Sequence, residues 1–88
     1  MLSLSYTTQF KRDPKLASKR GKKIKSLDDI VSLLREGKPL PAKNNNHKLS
    51  GDYADHWECH IAPDWFLIYL KSNKMLTLVR TGTHADLF

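Results

Sequence analysis

The sequence holds a single cysteine, Cys59, so no internal disulfide can staple the chain. Long apolar runs are also missing. The longest, Trp65 to Leu70, has six residues, far short of the roughly 20 that a membrane helix needs. The segment Met1 to Phe10 alternates leucine with serine and lacks both a basic leader and an apolar stretch, so no secretory signal is expected there. With one thiol and no such signal, a reducing cytoplasm is the expected home. Basic residues are scarce in one half only. Residues 1–44 carry 11 basic and 4 acidic side chains, +7, whereas residues 45–88 carry 4 and 5, −1.

What remains is ordinary globular material: 88 residues, 40% hydrophobic and 27% charged. That predicts one small folded domain over residues 1–88, near the size at which a single core becomes marginal. The net charge of +6 points to a polyanionic partner, nucleic acid or an acidic protein. Eight bases crowd into one stretch: Lys11, Arg12, Lys15, Lys19, Arg20, Lys22, Lys23 and Lys25, with Asp13 as the lone acid. A charge run is ordinarily a solvated helix face. Here it is nearly one-signed and repels itself, which favours a binding surface.

The element order reads β-α-α-β-β-β. Leu2 to Tyr6 alternates with period two, as a half-buried strand does. Thr7 or Thr8 caps a helix with apolar positions Phe10, Leu16 and Ala17 that runs to Gly21; alternatively Pro14 occupies the first turn of a helix begun by Asp13. Ser26 and Asp29 resemble a capping box, followed by Leu27, Ile30, Val31 and Leu34 at helical spacing and a stop at Gly37. Lys38 to Asn46 reads as an exposed loop. Then His56 to Ile61 alternates, Trp57, Cys59 and Ile61 on one face and His56, Glu58 and His60 on the other. Trp65 to Lys71 and Met75 to Thr81 follow through short turns. The expected fold is α+β, an antiparallel sheet with two helices packed on one face.

Four histidines raise the question of metal. His56 and His60, four apart on a strand, are separated by roughly 13 Å, beyond sharing one ion, so neither a metal site nor a cofactor is expected. Cys59 and His60 face opposite sides of a strand and make no dyad; the thiol is expected to be buried and inert. Acid–base chemistry fits better, because imidazole moves protons near neutral pH. RNA brings its own nucleophile, the ribose 2′-OH. Its cleavage needs a base, an acid for the departing 5′ oxygen and a cation for the phosphorane, parts that His60, His84, Asp64 and Arg80 can fill. Trp65 and Phe88 are candidates to stack on bases, although Trp65 suits a core equally well.

Three segments carry a resemblance: His47-Lys-Leu-Ser-Gly51; Glu58-Cys-His-Ile-Ala-Pro-Asp-Trp65 with Leu67-Ile-Tyr69; and Arg80-Thr-Gly-Thr-His-Ala-Asp-Leu-Phe88. Together they resemble the YafQ family of bacterial toxins, within the RelE superfamily of type II toxin–antitoxin systems. The resemblance implies a metal-independent endoribonuclease that cuts mRNA in the ribosomal A site and is silenced by a cognate antitoxin. It also implies a catalytic set of His47, His60, Asp64 and His84. In that set His84 is the general acid, Asp64 or His60 assists the base step, and His47 orients the phosphate or shares proton transfer. Arg80 would stabilise charge, and Trp65 and Phe88 would position bases. Lys11, Arg12, Lys15, Lys19, Arg20, Lys22 and Lys23 would grip ribosomal RNA. The stretch Asp52 to Trp57 departs from the family pattern in holding two acids and no Lys or Arg. Two other readings stay open: a gyrase-binding toxin of the same superfold, and a plain basic RNA-binding module.

Overall fold

A computed structural model describes residues 1–88. Five strands form one sheet: β1 Ser3–Tyr6, β2 His47–Lys48, β3 Trp57–Ala62, β4 Trp65–Lys71 and β5 Met75–Gly82. Two helices, α1 Thr8–Lys19 and α2 Ile24–Arg35, separate β1 from the rest, and a single-turn helix α3, His84–Leu87, ends the chain. The spatial order is β1-β5-β4-β3-β2. Short turns make β3, β4 and β5 antiparallel, as expected. The α+β class and the helix-covered face hold, with two additions: β1 lies parallel to β5, and the two-residue β2 joins β3.

Sequence periodicity explains the packing. Phe10 and Ala17 of α1 and Leu27, Ile30 and Leu34 of α2 meet Cys59, Trp65, Leu67, Tyr69, Leu76 and Leu78 from one sheet face. Leu16, expected among them, is 44% exposed. Helix α1 runs straight through Pro14 instead of starting there, with Thr7 as N-cap accepting from the Phe10 N–H. Helix α2 begins at Ile24, so Ser26 lies in its first turn and caps nothing; Asp29 instead pairs with Lys25 at 3.5 Å. The capping box is at the other end of the chain, where Thr83 and Asp86 bind each other's backbone at the start of α3. The Lys38 to Asn46 segment is not wholly exposed. It includes a 3₁₀ turn over Ala42–Asn44 whose Asn44 side chain is buried and donates to the His60 carbonyl at 2.6 Å. No helix is long and apolar enough to cross a membrane.

Candidate active site

The strand registers place the polar residues. Side chains of paired residues share a face, and His47 is opposite Glu58, Glu58 opposite Ile68, and Ile68 opposite Arg80. One step along, His60 is opposite Phe66 and Phe66 opposite Gly82. Two parallel rows therefore cross the sheet on the face away from the helices. The short β2 is decisive, because it carries His47 onto that face beside His60.

His47 and His60 meet edge to face with ring centroids 6.1 Å apart, and His60 abuts Phe66 at 4.7 Å. Phe66 contacts His84 at 6.2 Å, and His84 lies against Phe88 at 5.1 Å. Tyr53 closes the far end, 5.8 Å from Phe88. Phe88 is 54% exposed but not frayed: its N–H donates to the His84 carbonyl at 3.0 Å.

His84 is held through its backbone. Its N–H is one of the free donors at the start of α3, and it donates to Asp64 Oδ1 at 3.1 Å. Asp64 reaches it from the β3–β4 turn, in a left-handed conformation with φ 52°. Gly82 lets α3 fold back this tightly: a Cβ there would lie 3.0 Å from the Asp86 side chain. Asp86 also accepts from Arg20 Nη1 at 2.6 Å. The Thr83 backbone N–H and then Arg20 hold its carboxyl below the usual range.

Glu58 was legible as a neighbour of His60 on one strand face but not as part of the site. It is only 6% exposed, with Oε1 3.3 Å from His47 Nε2 and 3.9 Å from His60 Nε2, and Oε2 has no partner. His47 Nδ1 faces the Asn45 carbonyl at 2.7 Å, which fixes the ring with Nε2 toward Glu58. His47, Glu58 and His60 bring one ligand atom each within 4.8 Å of one another, a set able to hold a metal ion. The expectation of no metal site weighed only His56 against His60, and missed His47.

Other residues are placed differently from expectation. Trp65 is 1% exposed in the core, its ring inaccessible to a base, which corrects its assignment to RNA stacking. The pairing to Asp86 takes Arg20 out of the free basic surface. Lys11, Arg12, Lys15, Lys19, Lys22 and Lys23 form no ion pair. Arg80 is engaged by Asp13 of α1 at 2.9 Å, and that hydrogen-bonded carboxylate raises the Arg80 pKa. Burial, followed by the Glu58 charge, pushes the Cys59 thiol up to about 12, in keeping with an inert core cysteine.

The bacterial toxin family of type II toxin–antitoxin systems named YafQ matches residues 2–88. The mRNA interferase toxin YafQ of Escherichia coli K12 is 42% identical over 86 residues, 97% of this chain and 94% of that protein. The E. coli DinJ–YafQ toxin–antitoxin complex superposes with a TM-score of 0.91 at 41% identity, covering 99% of this chain and 97% of that one. A metal-bound toxin from Helicobacter pylori superposes with a TM-score of 0.92 at 37% identity over the full length of both. The chain belongs to the YafQ family of bacterial type II toxin–antitoxin toxins.

Proposed function

We propose that this chain is an endoribonuclease, a single catalytic domain that cuts mRNA in the ribosomal A site, inhibits translation in the cytoplasm and is silenced by a cognate antitoxin. The class of activity comes from the E. coli relative, an mRNA interferase whose structure with DinJ is a toxin–antitoxin complex. The chemistry rests on one observation: His60 and His84 flank Phe66 on a half-open face that also carries Arg80.

His60 takes the proton from the 2′-OH as that oxygen attacks phosphorus. Arg80 offsets charge on the non-bridging oxygens, and His84 gives its proton to the departing 5′ oxygen. The products are a 2′,3′-cyclic phosphate and a 5′ hydroxyl, and exchange with water resets the two imidazoles. Asp64, with one oxygen committed to the His84 N–H, orients the acid and leaves the base role to His60. His47, backed by Glu58, orients the phosphate. Both proton transfers are thus supplied by side chains, and no metal is needed. Positioned acid–base groups contribute about 10² to 10⁴ in rate, and a preorganised charge clamp about 3 to 4 kcal/mol more. A cation bound by His47, Glu58 and His60 would occupy the nitrogen that proton transfer requires.

Phe88 offers a stacking surface, worth about 1 to 3 kcal/mol per base. Lys11, Arg12, Lys15, Lys19, Lys22 and Lys23 supply the basic face for ribosomal RNA or for an acidic antitoxin segment. The test uses ribosomes carrying an mRNA with a 2′-deoxy substitution at the cut nucleotide. Cleavage of the all-ribose message to a 2′,3′-cyclic end, and none of the deoxy message, is expected. Cleavage of both would refute 2′-OH attack, and ribosome binding without cleavage would favour the RNA-binding module.

A further inference from the structure

Asp13 belongs to no part of the chemistry described so far, yet it is a buried carboxylate inside the most basic stretch of the chain. Its surroundings follow from the sheet edge. Strand β1 accompanies β5 only as far as Leu78. Beyond that point α1 takes over: the Thr7 hydroxyl donates to the Val79 carbonyl at 2.6 Å, and Asp13 Oδ2 accepts from the Thr81 N–H at 3.1 Å. The same carboxylate accepts from Arg80 Nε at 2.9 Å and Nη2 at 3.3 Å. Three N–H groups from two consecutive residues of β5 thus converge on one side chain.

The paired nitrogens define one edge of the guanidinium. A planar fork held along one edge has no rotational freedom left, so the opposite edge, with Nη1, points in a fixed direction. Arg80 stands in the row of His47, Glu58 and Ile68, so its side chain leaves the sheet on the active-site face, where Tyr53, stacked edge-on against Phe88, lies close enough to act on its charge. If charge alone mattered, an acid here would be a poor choice, because it offsets the cation meant for the phosphorane. Its service is geometric.

We infer that Asp13 is a positioning residue for cleavage, fixing the Arg80 guanidinium so that its free edge meets the scissile phosphate. This rests on Arg80 being the charge-stabilising group, and the experiment separates the two ideas. Single-turnover cleavage on programmed ribosomes is measured for Asp13→Asn, Arg80→Ala and the double variant, well below the melting temperature of each. Asp13→Asn is expected to lower the rate at saturation roughly 10- to 100-fold, the scale of a misplaced group, with half-saturation for ribosomes unchanged. The double variant should be no slower than Arg80→Ala alone. A wild-type rate in Asp13→Asn beside a slow Arg80→Ala would overturn the positioning role, as would multiplicative losses in the double variant. A wild-type rate in Arg80→Ala would overturn the reading of Arg80 itself, and Asp13 with it. Should Asp13→Asn not fold, Arg80→Lys carries the test. It keeps the charge and loses the fork, so a comparable slowing is expected and a wild-type rate would overturn the inference.

Discussion

The backbone N–H of His84 donates to the Asp64 carboxylate at 3.1 Å, across 20 residues of sequence. The hydrogen bond ties the β3–β4 turn to the first residue of α3 and so sets where the His84 imidazole stands. In this arrangement Asp64 needs an acceptor oxygen, not a basic one. Asp64→Ala is expected to slow single-turnover cleavage by roughly 10- to 100-fold. Asp64→Asn, which keeps an acceptor and tolerates the left-handed φ, should retain most of the rate. Equal losses in the two variants would mean that the carboxylate is itself the base.

Trp65 separates the core from the RNA surface. Trp65→Phe is expected to leave cleavage and ribosome half-saturation close to wild type. Trp65→Ala should cost about 3 to 5 kcal/mol, lowering the melting temperature by roughly 4 to 8 °C for each kcal/mol. Weakened ribosome binding in a stably folded Trp65→Phe would restore the stacking role that its burial argues against.

Zinc should inhibit. His47, Glu58 and His60 can share an ion within 4.8 Å, and the ion would take the His60 lone pair. Micromolar zinc is expected to slow cleavage, and Glu58→Gln to raise the concentration needed by roughly 10-fold or more, as loss of a supporting or ligating group does. A zinc-selective chelator should leave the wild-type rate intact. Loss of activity on chelation would show instead that the metal serves the reaction.

The core also makes an alkaline limit. Burial raises Cys59 from 9.0 to about 12, and burial followed by the Cys59 charge raises Tyr69 from 10.0 to about 12. Between these values the unfolded chain has lost protons that the folded chain keeps, so stability falls as pH rises. Denaturation midpoints should decline from about pH 9 upward, and Cys59→Ala should flatten part of that decline. A midpoint independent of pH across that range, or an identical slope in Cys59→Ala, would contradict the assignment.

Local pattern carried much of this molecule. The period-two face of Glu58 and His60, the helical stripe of Leu27, Ile30 and Leu34, and the Thr7 cap were all readable because each depends on near neighbours. The motif segments likewise named His47, His60, Asp64, Arg80 and His84 as candidates. What escaped depends on pairing at a distance. A two-residue strand has no visible period, so alternation alone could not set His47 beside His60, and only the family resemblance grouped them. Parallel pairing of β1 with β5 leaves no mark on either strand, and it is the end of that pairing that seats Asp13 against Arg80 and Thr81. Trp65 was ambiguous because an aromatic residue at a strand start serves a core and a base equally well, and only burial separates them.

The central claim is that His84 protonates the leaving 5′ oxygen. It is tested most directly with an mRNA whose scissile 5′ oxygen is replaced by sulfur, since a thiolate departs without a proton. With the natural message His84→Gln is expected to lose roughly 10² to 10⁴ in single-turnover rate; with the sulfur message it should cleave at nearly the wild-type rate. An equal loss on both messages, or no loss on the natural one, would contradict the account.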